Sequence, residues 1–85
     1  MNPFTVAPLQ LEELIARLTP RQMEIVELLA MGHTTREVCT ILSIERITFQ
    51  SHIRNACNRV EADHKMQLVV MFVTWKLLCN GASLK

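Results

Sequence analysis

Nothing in these 85 residues alternates apolar and polar side chains at the two-residue period of a strand. No segment repeats, and none is of low complexity, so the chain reads as all-α. Helix breakers are few, and each falls at a boundary: Pro3 and Pro8 in an irregular start, Pro20 at a helix start, Gly32 and Gly81 at helix stops. Long apolar runs are also missing. The longest, Leu68 to Cys79, is interrupted by Thr74 and Lys76 and is too short to span a bilayer, so no membrane association is expected. The opening MNPFTVAPLQ has neither a basic segment nor a long apolar run and does not read as a secretory signal.

Cysteines are few and odd in number. Cys39, Cys57 and Cys79 stand too far apart for a zinc motif and read as reduced thiols of a cytoplasmic protein, the first two in its core. No carboxylate pair, nucleophile–base set, phosphate loop or metal cluster can be assembled, so no catalytic residue, metal ligand or cofactor is assigned and an enzyme is not expected. Net charge is small as well, at +1, but it is unevenly placed. Residues 1–33 carry Arg17 and Arg21 against Glu12, Glu13, Glu24 and Glu27, whereas residues 46–59 carry three arginines and no acid. A basic segment inside a near-neutral chain suits a local DNA contact face, or simply a solvated helix face.

What is present is apolar helical periodicity. With 49% hydrophobic residues, a packed fold is expected rather than disorder. Leu9, Leu11, Leu14, Ile15 and Leu18 predict a short helix over 9–17. Thr19-Pro20-Arg21-Gln22 is a strong helix start with a capping-box spacing, and Gly32 ends a helix over about 20–31. Thr34 and Glu37 form a second capping box, opening a short helix that ends near Ser43. Phe49, Ile53, Ala56 and Val60 then step by four, three and four along one face of a helix from Arg46 to Val60. Its other face carries Gln50, Ser51, Arg54, Asn55 and Asn58. A last helix opens at Asp63 or His64 and runs to about Cys79, apolar on most of its circumference. One side should pack on the core and the other on a second subunit, through Met66, Val69, Val70, Val73 and Leu77. The expected division is an arm and short helix over 1–17, a domain over 18–79, and a mobile tail over 80–85.

Two helices joined by a tight turn, the second with a polar and basic outer face, describe a helix-turn-helix, whose second helix fits the major groove. The run LTPRQMEIVELLAMGHTTREVCTILSIERITFQSHI resembles the LuxR/GerE-type DNA-binding domain. The likeness covers about residues 18–78 and rests on Leu18, Thr19, Pro20, Arg21, Glu24, Leu28, Leu29, Gly32, Glu37, Leu42, Ile44, Thr48 and His52 at fixed spacing. It implies a four-helix domain, here with a short extra N-terminal helix, whose third helix enters the major groove and whose last helix supports a homodimer. It also implies base contacts from Gln50, Ser51 and Arg54 and phosphate contacts near Thr35, Arg36 and Thr48. Arg46, Asn55, Asn58 and Lys65 complete the expected double-stranded DNA surface. Ile47 lies on the exposed side near the helix start, within reach of a thymine methyl or merely exposed.

The chain departs from the family pattern at four places. Gln50 stands for the usual lysine, Glu45 for the serine that opens the recognition helix, Phe49 for valine, and Glu61 for the glycine that follows. Two functions stay open at this point. One is a stand-alone DNA-binding transcription regulator with no sensor domain ahead of it. The other is an antiactivator-like interaction module that pairs with another transcription regulator through its apolar last helix. The low net charge and the acids at Glu45 and Glu61 favour the second.

Overall fold

Capping side chains decide where the helices start. The computed structural model describes residues 8–83, and these form α1 (Pro8–Ile15), α2 (Pro20–Ala30), α3 (Thr35–Leu42), α4 (Arg46–Val60) and α5 (Lys65–Ser83). Thr19 caps α2: its Oγ1 accepts from the Gln22 amide at 3.2 Å, and Gln22 Oε1 accepts from the Thr19 amide at 3.0 Å. Thr34 and Glu37 do the same for α3, at 3.1 and 2.9 Å. The Thr34 N–H, with help from His33, holds the Glu37 carboxyl below the usual glutamate range. The reciprocal cap is therefore complete above that range and fades as the pH falls through the lowered value. At α5, His64 Nδ1 accepts from the Gln67 amide and Gln67 Oε1 accepts from the Asp63 amide. The expected all-α architecture, four helices behind a short extra one, is what the chain forms.

The ends differ more from expectation. Gly32 turns the chain at φ +96, as expected of glycine. Ser43 and Glu61, however, terminate α3 and α4 in the left-handed region, at φ 54 and φ 61, without a glycine at either position. A β-carbon in that region costs about 1–2 kcal/mol. The Arg17–Glu61 ion pair at 3.2 Å offsets little of this, because both side chains are half exposed. Glu61→Gly is therefore expected to stabilise the domain by about 0.5–1 kcal/mol, read as a higher midpoint in thermal unfolding. A lowered midpoint would show that the ion pair outweighs the strain.

The last helix also runs further than its sequence suggests. Asn80-Gly81 does not end it, and α5 continues to Ser83 where a mobile tail over 80–85 was expected. Glycine inside a terminal turn costs about 1 kcal/mol and does not forbid the conformation. The expected arm before Pro8 and the last two tail positions lie outside the described residues.

Two clusters of buried side chains hold the helices together. The larger joins α1, α2, α4 and α5 through Leu11, Leu14, Ile15, Leu18, Val26, Ala56, Cys57, Val60, Leu68, Met71 and Phe72. The smaller consists of Ile25, Val38 and Phe49 and lies under α3 and the start of α4. Cys57 is buried, which pushes its thiol pKa up, while Cys39 is half-buried; none of the three cysteines forms a disulfide. Within α5, Leu68, Met71 and Phe72 face the core, which settles the inner side of a helix too apolar for its sequence to reveal one.

Candidate nucleic-acid interface

The turn between α3 and α4 fixes the site. Ser43 and Ile44 close α3 with amide bonds to the carbonyls of Thr40 and Cys39, and Glu45 then opens α4 in extended geometry. Glu45 makes no side-chain cap bond, so the first amides of α4 stay available at the surface. Phe49 is buried in the smaller cluster and orients the first turns of α4, while Ala56, Cys57 and Val60 seat its second half in the larger one.

With that face inward, the expected contact residues turn outward. Arg46, Thr48, Gln50, Ser51, Arg54, Asn55 and Asn58 on α4 are exposed, as are Arg36 on α3 and Lys65 on α5; Thr35 is half-buried. The fold gathers them unequally. Arg46, Gln50, Arg54 and Asn58 line one wall of an open groove of about 350 Å³, with Thr35 and Lys65 across from them. Lys65 Nζ donates to Thr35 Oγ1 at 3.3 Å, which ties the start of α5 to the start of α3. A second cleft of about 560 Å³ is lined by Thr35, Arg36 and Arg46 with Cys39, Thr40 and Ile44. Thr48, Ser51 and Asn55 line neither cleft and lie on the exposed part of α4 beside them.

Besides apolar and thiol side chains, sequence reasoning misses Asp63, His64 and Thr40 in these clefts. Asp63 and His64 line the groove beside Lys65, and Thr40, whose hydroxyl donates back to the Arg36 carbonyl at 3.0 Å, lines the second cleft. The adjacency of Asp63 and His64 to Lys65 was the available signal. Thr40 offered only its place one turn beyond Arg36.

The cations are sorted by position. Away from the α3–α4 face, Arg17 pairs with Glu61 at 3.2 Å, Arg21 with Glu24 at 3.5 Å and Lys76 with Glu27 at 3.0 Å. Arg59 donates to the Arg17 carbonyl while Arg17 donates to the Arg59 carbonyl, a brace between the ends of α1 and α4. Among the described residues, no ion pair occupies Arg36, Arg46 or Arg54. An unpaired, exposed guanidinium is suited to phosphate or a base edge, because its planar fork has no competing carboxylate to leave.

Residues 16–72 match the bacterial regulatory proteins of the luxR family. The chain belongs to that family. It is a family of DNA-binding regulatory domains and not of enzymes, and the helix-turn-helix of this luxR-family chain is α3–turn–α4. The response regulator protein VraR of Staphylococcus saprophyticus is 33% identical over 61 residues, covering 72% of this chain and 29% of that protein. The VraR proteins of Staphylococcus aureus strain Mu3 and of Staphylococcus epidermidis are each 33% identical over 58 residues, covering 68% of this chain and 28% of theirs. The luxR-family chain thus spans less than a third of the length of these curated relatives. No solved structure matches it.

The residues expected at a subunit interface share the outer side of α5. Met66 and Leu77 are 67% and 64% exposed, and Val69, Val70 and Val73 are half-buried. Met66, Val70, Val73 and Leu77 recur every three or four residues, opposite Leu68, Met71 and Phe72. Among the described residues, no helix is long and apolar enough to cross a membrane and no group of side chains could hold a metal ion.

Proposed function

We propose that this chain is a cytoplasmic, sequence-specific transcription regulator that lays α4 in the major groove of duplex DNA and works as a homodimer. The sorting of its cations carries the reading: arginines elsewhere are engaged by glutamates or carbonyls, while Arg36, Arg46 and Arg54 are exposed and unpaired. In this arrangement Arg36, Arg46 and Lys65 sit on phosphates, assisted by Thr35 and Thr48. Gln50, Ser51 and Arg54 read base edges, with Asn55 and Asn58 on the groove walls. The stripe of Met66, Val70, Val73 and Leu77, flanked by Val69, joins two copies so that two α4 helices address two half-sites.

The test is a salt titration of binding to random and genomic duplexes. Each neutralised phosphate contributes about −0.9 to the slope of log affinity against log salt. Three phosphate-binding cations therefore predict a slope of roughly −3 per protomer, with one fragment preferred over the bulk. No binding at low salt removes the reading. Sedimentation at micromolar concentration checks the homodimer, which a single monomer species would exclude.

A second reading is favoured by the acids at both ends of α4, Glu45 and Glu61, and by the exposure of Met66 and Leu77. In it the chain pairs with another transcription regulator through α5 and does not need DNA.

A further inference from the structure

Six large apolar side chains are exposed among the described residues, and one of them, Ile47, stands on the reading face itself. It is 68% exposed, in the first turn of α4. Its position relative to the core explains why. Phe49, Ala56, Cys57 and Val60 define the buried side of α4. Residues 47, 50, 51 and 54 are spaced by three, one and three, so Ile47 shares one outward stripe with Gln50, Ser51 and Arg54. Ile47 lines neither of the two clefts beside the helix. It is surrounded in sequence by the exposed polar side chains of Arg46, Thr48 and Gln50 and belongs to no apolar patch on this helix. The fold does not use its side chain, and a β-branched residue is no aid to an exposed helix turn.

We infer that Ile47 is a specificity-determining residue that packs against the C5-methyl group of a thymine, one base pair away from the base read by Gln50. The chemistry selects the ligand. In the major groove every base edge is a pattern of hydrogen-bond donors and acceptors, and the thymine methyl is the apolar group among them. An aliphatic side chain offers nothing to a phosphate, a guanine edge or a cytosine amino group. Recognition helices of this class contact bases with their N-terminal residues, where Ile47 stands. The carboxamide of Gln50, one turn further on, suits the N6 and N7 of adenine. The half-site addressed by the start of α4 is thus rich in A·T pairs, while Arg54 is left to read a guanine or a phosphate further along the helix. The inference rests on the DNA-reading function proposed above.

The experiment begins with selection of preferred duplexes from a random library by the full chain. Each thymine of the preferred site is then replaced in turn by deoxyuridine, which lacks only the methyl group. For the unaltered chain, one such replacement is expected to weaken binding about four-fold, the worth of one buried methyl group. For Ile47→Ala the same replacement is expected to change nothing, while Ile47→Val keeps part of the effect. Binding to random duplex at low salt serves as the folding control, since it depends on Arg36, Arg46 and Lys65. If the chain and Ile47→Ala respond equally at every thymine, the inference is overturned and the DNA-reading function stands. If the chain binds no duplex at all, both fall.

Discussion

Arg54→Ala is expected to weaken binding to a preferred duplex by roughly 5- to 150-fold, or about 1–3 kcal/mol, while leaving the unfolding midpoint unchanged. Arg54 is exposed, in no ion pair among the described residues, and lies with Gln50 and Asn58 on the wall of the groove that Lys65 closes. Its removal leaves no buried group unsatisfied, so stability should not move. The kind of contact can also be read. If the guanidinium binds a guanine edge through its fork, Arg54→Lys loses most of the affinity and the salt slope stays as it was. If it binds a phosphate, Arg54→Lys keeps most of the affinity, and Arg54→Ala makes the slope shallower by about one. A silent Arg54→Ala together with an inactivating Leu77→Glu would favour the interaction module instead. Leu77 is 64% exposed, so a charge there alters the outer face of α5 without entering the core.

Phe72→Ala is expected to cost about 3–5 kcal/mol and to lower the thermal midpoint by more than about 12 °C. Phe72 is 2% exposed and is among the largest fully buried side chains. Its ring stacks at a tilt on Trp75, with centroids 5.7 Å apart, and Lys76 Nζ lies 5.6 Å from its centroid. Lys76 also reaches Glu27 on α2 at 3.0 Å, so the same few residues join α5 to α2. A domain of this size holds about 4–13 kcal/mol in total, so the substitution removes a large share of it. Lys76→Ala is the contrast: its side chain and that of Glu27 are half exposed, and it should cost less than about 1 kcal/mol. Urea unfolding of both variants checks the pair. A Phe72→Ala loss no larger than that of Lys76→Ala would mean that the α2–α5 contact is not set by core packing.

The helix starts were legible because their chemistry is local. Thr19 with Gln22, and Thr34 with Glu37, form their reciprocal bonds within four residues, so spacing alone reveals them. The outward face of α4 was legible for a similar reason, since Phe49, Ala56 and Val60 fix its inner side by period. The left-handed turn at Ser43 was not, because the usual signal is a glycine and the site has none; at Glu61 the residues themselves gave no sign either, and only the glycine that the family pattern has there marked the position. The two sides of α5 could not be told apart either. Leu68, Met71 and Phe72 differ little in polarity from Met66, Val70 and Val73, and only the helices packed against them distinguish the sets. Asn80-Gly81 misled as a stop because one glycine weakens a helix end without breaking it.

The division of the buried side chains into a large and a small cluster has a bearing on motion. The C-terminal half of α4 is anchored by buried residues drawn from four helices, whereas its first half rests on the smaller set of Ile25, Val38 and Phe49, with partly buried neighbours such as Leu28, Leu42 and Ile53 packed around them. Opening free energy follows the apolar contacts that must be broken, so it is lower for α3 and the first turns of α4 than for α5. The surface proposed to meet the double helix is then held by fewer buried contacts than α5 is. If that surface reads DNA as proposed, ordering it on a matched site costs conformational entropy that a mismatched site cannot offset, which would add discrimination between sequences beyond the direct contacts of any one side chain.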